Sequence, residues 1–192
     1  MAPNLAHPPL ITPIEQVNGV DPSASAWVQR WSHLVAPGQT VLDVACGEGR
    51  HVNWFVRRGH RVIGLDRSAS ALAAIKWPAE SCQTVLADIE NGPWPLAGQC
   101  FAGVVVTNYL WRALLPTLVQ SVAPGGALIY ETFAAGQEKI GKPSRADFLL
   151  RPGELLAACT GLRVVAYEDG LEYGADGRPM RFVQRIAAVR SE

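Results

Sequence analysis

The sequence lacks an excess of charge of either sign. Its 192 residues include 17 Lys plus Arg and 17 Asp plus Glu, which gives a formal net charge of +0. Proteins that bind nucleic acids usually carry a basic excess, because they neutralise the phosphate backbone. The balance therefore argues against a nucleic-acid partner, although it leaves room for a local basic surface.

The sequence also lacks the signals of a secreted, zinc-bound or membrane-embedded protein. Its four cysteines form no C-x-x-C pair and show no zinc-ligand spacing. They are Cys46, Cys82, Cys100 and Cys159. No basic and apolar leader opens the sequence, and no apolar run is long enough to span a bilayer. These absences predict a cytoplasmic protein that has no membrane partner; they leave the oligomeric state open.

What the sequence does contain is an alternation of strand-like and helix-like runs from Thr40 onward. Apolar, strand-like runs lie at residues 41–44, 61–66, 83–88, 101–108 and 127–133. Two more surround ADGRP, at residues 175–179, which is a hairpin signal. This order predicts an α/β fold with a seven-stranded mixed sheet, helices on both faces and a terminal antiparallel strand pair. Residues 1–37 form a predicted arm and helix, a candidate lid, and residues 38–192 form the predicted domain.

The stretch VLDVACGEGR, at residues 41–50, has the pattern of a buried strand that runs into a tight glycine turn. A helix-like pattern follows, and α/β folds hold nucleotides with this order of elements. A dinucleotide site needs a third glycine where Val52 stands. Asp43 and Glu48 also place negative charge where a pyrophosphate would bind. The turn therefore favours a ligand with a cationic group, such as an ammonium or a sulfonium.

Two more acidic residues end the next two strand-like runs. Asp66 ends the second run, where a carboxylate can accept hydrogen bonds from both hydroxyls of a ribose. Asp88 ends the third run, where its side chain could reach the exocyclic amine of an adenine. Together with Asp43, these residues outline an adenosine with a cationic tail.

These segments resemble the motifs of one large family. VLDVACGEG, VIGLD and VLADIE are similar to the first three motifs of class I S-adenosylmethionine-dependent methyltransferases. VVVTNYL resembles the fourth motif, and SVAPGGALIYETF resembles the segment that leads into the fifth strand. The resemblance covers about residues 38–133, and it implies a Rossmann-like fold and S-adenosyl-L-methionine as cofactor. Within the superfamily, the short chain is similar to bacterial tellurite-resistance and related thiol or chalcogenide methyltransferases.

The resemblance also implies a set of cofactor-binding residues. Glycines 47 and 49 would let the backbone approach the methionine portion, the Asp43 side chain would support the turn, Asp66 would hold the ribose, and Asp88 with Ile89 would hold the adenine. The full set is Asp43, Ala45, Gly47, Gly49, Asp66, Arg67, Asp88, Ile89 and Asn108. The family often has an acidic residue where this sequence has Ala102, so that contact is absent.

Structural alternatives exist for several of these residues. Asp66 could be no more than a cap of the helix that begins after Ser68. Asn108 could cap the helix that follows Asn108. Cys46 has no base near it in the sequence and is expected to be a small packing residue. His51 and Asn53 are expected to face solvent.

The methyl acceptor is the least determined part of the prediction. Methyl transfer from a sulfonium needs an aligned nucleophile, and it needs a base only if the acceptor arrives protonated. The catalytic candidates are Asn108, Tyr109 and Glu131, and no metal is expected. No N-P-P-Y motif follows the fourth strand, which argues against a nucleobase amine as acceptor.

The loop at residues 134–151 carries four basic residues and is expected to close over the acceptor. The expected acceptor is a small molecule that is an anion, a thiol or a chalcogen compound. A macromolecular acceptor, RNA or protein, and a module that only binds the cofactor remain as alternatives.

Overall fold

Seven strands form one sheet in the computed structural model, which describes residues 24–192. The strands are β1 Thr40–Val44, β2 Arg61–Asp66, β3 Cys82–Leu86, β4 Phe101–Thr107, β5 Val122–Phe133, β6 Arg163–Tyr173 and β7 Pro179–Val189. Their order across the sheet is β3-β2-β1-β4-β5-β7-β6. The first five are parallel neighbours, and β7 runs antiparallel to both β5 and β6. The predicted fold class is therefore confirmed.

Helices cover both faces of this sheet. They are α1 Ala26–Trp31, α2 Arg50–Val56, α3 Ala69–Ala74, α4 Leu115–Gln120 and α5 Glu154–Ala158. The first three bury Trp27, Phe55 and Leu72 in the core on one face. The last two bury Leu118 and Leu155 in the core on the other face. No helix among residues 24–192 is long and apolar enough to cross a bilayer.

The first helix belongs to the segment predicted as an arm. Its N-cap is Ser25, whose hydroxyl accepts hydrogen bonds from the backbone N–H groups of Trp27 and Val28. The indole N–H of Trp27 donates to the carbonyl oxygen of Ile186 in β7 at 3.2 Å. This helix is therefore part of the folded core, whereas the rest of the predicted arm, residues 1–23, lies outside the described residues.

Three predicted boundaries were wrong. Residues 110–122, whose sequence pattern predicts one helix, form a 3₁₀ turn, Arg112–Leu114, followed by the shorter α4, with Pro116 in its first turn. Residues 123–126, whose APGG sequence predicts the end of that helix, lie within β5, because a bulge between Phe101 and Gly103 lets that strand continue. The third strand ends at Leu86, so Asp88 lies in the connection after it.

Candidate functional site

A cleft of about 350 Å³ opens where β1 to β5 end at their carboxyl side. This edge of an open parallel sheet is where α/β folds bind ligands, and the volume suits a small molecule. Six of the predicted cofactor residues line the cleft: Ala45, Asp66, Arg67, Asp88, Ile89 and Asn108. The other three, Asp43, Gly47 and Gly49, lie in and under the glycine turn beside it.

Asp66 ties the glycine turn to the helix that follows β2. One carboxylate oxygen accepts the backbone N–H of Gly47 at 2.8 Å, and the other accepts the backbone N–H of Ser68 at 2.8 Å. The cap of α3 itself is Ser68, whose hydroxyl accepts the N–H of Ala71. Asp66 is thus more than a helix cap, since its carboxylate lines the cleft and each oxygen keeps a lone pair for a ligand.

The two glycines of the turn have different surroundings. Gly47 has φ of +55°, and a Cβ there would meet nothing within 4 Å, so its outer side is open. Gly49 has φ of +81°, and a Cβ there would lie 2.8 Å from Cγ1 of Ile75. Gly49 therefore permits close packing of α2 against Ile75, which is a structural role that differs from the predicted contact with the cofactor.

Asp43 is buried beneath the turn with 1% of its surface exposed. It accepts a hydrogen bond from the backbone N–H of Val52, but one carboxylate oxygen, Oδ2, has no partner among the described residues. Burial raises the pKa of Asp43 to about 7, against the lowering effect of the nearby Arg50 charge. A buried carboxylate with an unused oxygen next to a cleft is poised to interact with a cation.

The other acidic residue, Asp88, folds back on its own connection. Its carboxylate accepts hydrogen bonds from the N–H of Glu90 and from the side-chain and backbone N–H groups of Asn91. The side-chain bond from Asn91, followed by that from Glu90, lowers the pKa of Asp88. Asp88 is exposed and stays ionised at neutral pH, and it lines the cleft beside the buried Ile89.

Within residues 24–192, two residues other than glycine have left-handed backbone conformations, and both line the cleft. Ala45 has φ of +53° just after β1, and Asn108 has φ of +54° just after β4. Such strain tends to collect at functional sites. Asn108 donates its backbone N–H to the carbonyl oxygen of Glu131 at 2.9 Å, and the 3₁₀ turn that follows has no side-chain cap. The capping alternative for Asn108 is therefore wrong.

Tyr109 lies on the cleft beside Asn108, and its hydroxyl is buried next to the Glu90 carboxylate, with which it forms no hydrogen bond of good geometry. Burial, with a contribution from the Glu90 carboxylate, raises the pKa of this hydroxyl above its ordinary value. It is therefore a neutral donor at physiological pH. A buried donor that lacks a hydrogen bond of good geometry usually has one supplied by a ligand or by water.

Glu131 does not line the cleft. It is 1% exposed on the opposite face of β5, where its carboxylate pairs with Arg185 and, at 3.5 Å, with Arg181. The Ser25 hydroxyl donates to the same carboxylate at 3.0 Å. Because both oxygens are engaged in this network, Glu131 anchors α1 and β7 to β5, and its prediction as a catalytic candidate finds no support in the geometry.

The prediction that His51 and Asn53 face solvent was also wrong. His51 is 1% exposed, and its Nε2 accepts the backbone N–H of Ser25 at 3.2 Å, which leaves the proton on Nδ1 near the Thr107 hydroxyl. Asn53 is half-buried and accepts a hydrogen bond from the indole N–H of Trp77 at 2.6 Å. Both side chains belong to the packing of α2.

Several cleft residues were missed in the sequence. Leu65, Ala87, Glu90 and Leu110 adjoin the predicted positions, and they could have been found by extending each strand end by one or two residues. Pro143 was missed as well, because no local pattern marks it, whereas Phe148 belongs to the loop that is expected to close over the acceptor and is one of the apolar residues with which it would close. Among residues 24–192 no cluster of His, Cys, Asp or Glu could hold a metal ion.

Comparison with known proteins finds similarity to methyltransferases. Residues 41–126, which are 86 of the 192 residues of the chain, match the sequence family described as methyltransferase domain. The chain is 34% identical over 106 residues to a malonyl-[acyl-carrier protein] O-methyltransferase of Serratia marcescens, a match that covers 52% of this chain and 40% of the relative. The chain thus spans less than half the length of that relative.

Solved structures of other proteins share the fold. TehB from Haemophilus influenzae superposes with a TM-score of 0.70 at 17% identity, covering 88% of this chain and 63% of TehB. An S-adenosylmethionine-dependent methyltransferase from Mesorhizobium loti superposes with a TM-score of 0.67 at 19% identity, covering 88% and 99% of the two chains. At these identities the likeness establishes the fold and leaves the acceptor undetermined.

The residues of the cleft fit S-adenosylmethionine, the cofactor that the sequence resemblance implies. Gly47 leaves open space at the turn, Asp66 presents a carboxylate to the cleft, and Asp43 keeps an unpaired oxygen beneath the turn. S-adenosylmethionine carries a ribose and a positively charged sulfonium and ammonium, so negative groups at these places complement it. NAD, with its pyrophosphate, would meet the same charges unfavourably.

Proposed function

We propose that the protein is an S-adenosylmethionine-dependent methyltransferase that acts on a small acceptor by direct in-line methyl transfer. The observation that carries the proposal is the cleft at the ends of β1 to β5, where Asp66 and the glycine turn meet. When bound, S-adenosylmethionine supplies a methyl group that is attached to a sulfonium. Transfer of this methyl group leaves a neutral thioether.

In this proposal each residue of the cleft binds a different part of the cofactor. Asp66 accepts hydrogen bonds from the ribose, and the open side of Gly47 receives the methionine portion. Asp88 and the Ile89 backbone hold the adenine, and Asn108 lies beneath the reacting centre. Arg67, which lies 4.0 Å from the Glu90 carboxylate, stabilises the rim on the adenine side.

We further propose that the acceptor enters between Tyr109 and the loop after β5. Thr132, Phe133, Pro143 and Phe148 line this end of the cleft, so its walls are mainly apolar and exclude water from the nucleophile. The Tyr109 hydroxyl, which lies beside the Glu90 carboxylate, can donate to the acceptor and orient it. Because the chemistry needs positioning more than acid–base catalysis, these contacts suffice for transfer.

The acceptor class that we favour is a small anion, with thiols and chalcogen compounds first. The loop carries Lys139 and Lys142, and neither forms an ion pair with any residue in the described part of the chain. Lys142 directly precedes Pro143, which lines the cleft, and a cation near a cleft raises the local concentration of anions. A thiolate combines negative charge with a soft, apolar sulfur, which suits a basic rim above an apolar wall.

A screen tests the proposal directly. Purified protein is incubated with S-adenosylmethionine and thiols, chalcogen oxyanions, small carboxylic acids or bulk RNA, and S-adenosylhomocysteine is measured. Acceptor-dependent product with at least one small anion supports the proposal. Binding of the cofactor with no turnover of any acceptor class would indicate a module that only binds the cofactor.

A macromolecular acceptor is the second candidate, because the Serratia relative is named for an acyl-carrier-protein substrate and the loop is basic. Docking of an acidic macromolecule on that loop would make acceptor binding fall steeply with salt. The Michaelis constant of the acceptor is measured between about 50 and about 200 mM salt, the range in which screening acts. A value that hardly changes over this range would favour the small acceptor.

A further inference from the structure

Arg112, in the turn after β4, forms hydrogen bonds with the loop after β5. Its Nε and Nη2 donate to the two carboxylate oxygens of Glu154 at 2.7 and 3.0 Å. Its Nη1 donates to the carbonyl oxygen of Asp147 at 2.8 Å, and Nη2 also donates to the carbonyl oxygen of Leu149 at 2.6 Å. One guanidinium therefore connects three separate parts of the chain.

This arrangement needs arginine. The bidentate pair with Glu154 and the two carbonyl bonds use four N–H···O contacts that a planar guanidinium can make at once. A lysine ammonium could keep the charge but could not reach the carboxylate and both carbonyls together. The side chains are partly shielded from water, with 31% of Arg112 and 19% of Glu154 exposed, so the pair is stronger than one on the open surface.

The two carbonyl oxygens that Arg112 holds flank Phe148, which lines the cleft. Tyr109 lines the same end of the cleft and lies three residues before Arg112. The backbone of Tyr109 is fixed separately, because the Tyr130 hydroxyl donates to its carbonyl oxygen at 2.8 Å. Arg112 thus joins the element that carries one wall to the loop that carries the other.

The loop has a second attachment at its start. The side chain of Gln137 is buried; it accepts the backbone N–H of Phe182 at 2.8 Å and donates to the carbonyl oxygen of Lys142 at 3.0 Å. Between this attachment and the one at Arg112, residues 138–144 make hydrogen bonds among the described residues only with residues 136 and 137. The loop is therefore held at both ends and free in the middle.

We infer that Arg112 is a positioning residue for the acceptor: it fixes Phe148 opposite Tyr109 and confines the movement of the loop to residues 138–144. This inference rests on the proposed function for its consequence in catalysis, since the wall that it fixes is the proposed acceptor wall. Arg112 itself does not line the cleft, so it acts through Phe148.

The test compares Arg112→Lys with a matched control, Arg178→Lys, whose side chain is 86% exposed in the β6–β7 hairpin. Hydrogen exchange of the Leu149 and Leu150 amides is measured first. In Arg112→Lys we expect it to rise about tenfold or more, because bonds from a charged donor to two carbonyl groups are lost. Exchange in β1 should stay unchanged in both variants.

Binding and kinetics are measured on the same proteins. The dissociation constant for S-adenosylhomocysteine should stay within about twofold, while the Michaelis constant of the acceptor found by the screen should rise about tenfold. Arg112→Ala should show the same pattern more strongly, and Arg178→Lys should match the wild type. A role in global stability alone would instead raise exchange throughout the sheet and weaken cofactor binding.

Unchanged exchange at Leu149 and Leu150, or an unchanged Michaelis constant with raised exchange, would overturn the inference. If the wild type turns over no acceptor, the proposed function has failed, and the exchange measurement by itself then decides whether Arg112 fixes this loop.

Discussion

Asp66→Ala removes a carboxylate that accepts two backbone hydrogen bonds in the structure and that binds the ribose in the proposed function. In the protein without cofactor, the Asp66 oxygens accept the N–H groups of Gly47 and Ser68, both at 2.8 Å. Hydrogen bonds to a charged acceptor contribute about 1.5–3 kcal/mol each. The substitution should therefore lower the melting temperature while leaving a folded protein, because the buried cores on both faces are untouched.

The substitution should also weaken the binding of the cofactor, by more than the loss of the two backbone hydrogen bonds explains. Removal of two bonds to the ribose could cost up to about 3–6 kcal/mol. Asp66 is only half-buried, and water replaces part of the interaction, so we expect about 2–3 kcal/mol, or roughly a 30- to 150-fold weaker binding.

Calorimetric titration with S-adenosylhomocysteine measures this change, with Asp176→Ala in the exposed hairpin as the control. Asp66→Asn helps to separate the two roles, since an amide keeps one acceptor but cannot accept both backbone N–H groups. An unchanged dissociation constant in Asp66→Ala, together with a lower melting temperature, would refute ribose binding and leave Asp66 as a link between the turn and α3.

Three other predictions follow from the same region. Gly47→Val should abolish binding of S-adenosylhomocysteine in calorimetry, because φ is +55° and the side chain would occupy the open side of the turn; full affinity in a folded variant would contradict this. Trypsin should cut near Lys139 or Lys142 in the free protein, more slowly with cofactor and acceptor bound; equal rates would show a loop that does not close. Burial raises the pKa of Asp43 from 3.8 to about 7, so the free energy of unfolding without cofactor should fall as pH rises from about 4 to about 7. Urea titrations should show a flatter dependence in Asp43→Asn, and identical slopes would mean that Asp43 is ionised throughout.

The strands and the cofactor side of the cleft could be predicted because they depend on local patterns. The run Arg61–Asp66 is apolar, ends in a carboxylate and precedes a serine cap, and the structure gives this strand the same bounds. Since parallel strands end at one edge of the sheet, residues after β1, β2 and β4 meet there without further information.

The acceptor side depended on distant contacts and could not be predicted as well. Glu131 ends near the same edge, but neighbouring residues of a strand point to opposite faces, and its side chain is on the face of Ile129, away from the cleft. Phe148 reaches the cleft only because Arg112 and the bridge between Ala134 and Leu150 fold the loop back. Neither contact leaves a trace in the local sequence.

The position of β7 affects the order in which the chain can fold. This strand follows β6 along the chain but lies between β5 and β6 in the sheet. During synthesis, β5 therefore keeps an unpaired edge, and the Glu131 carboxylate has no Arg185 to neutralise it, until β7 has left the ribosome. An exposed strand edge invites pairing with other chains, and a buried charge without a partner opposes packing of α1. The nascent chain thus passes through a stage at which β1 to β4 can pair with one another while the other side of the sheet is open to aggregation, a stage at which a chaperone would have most effect.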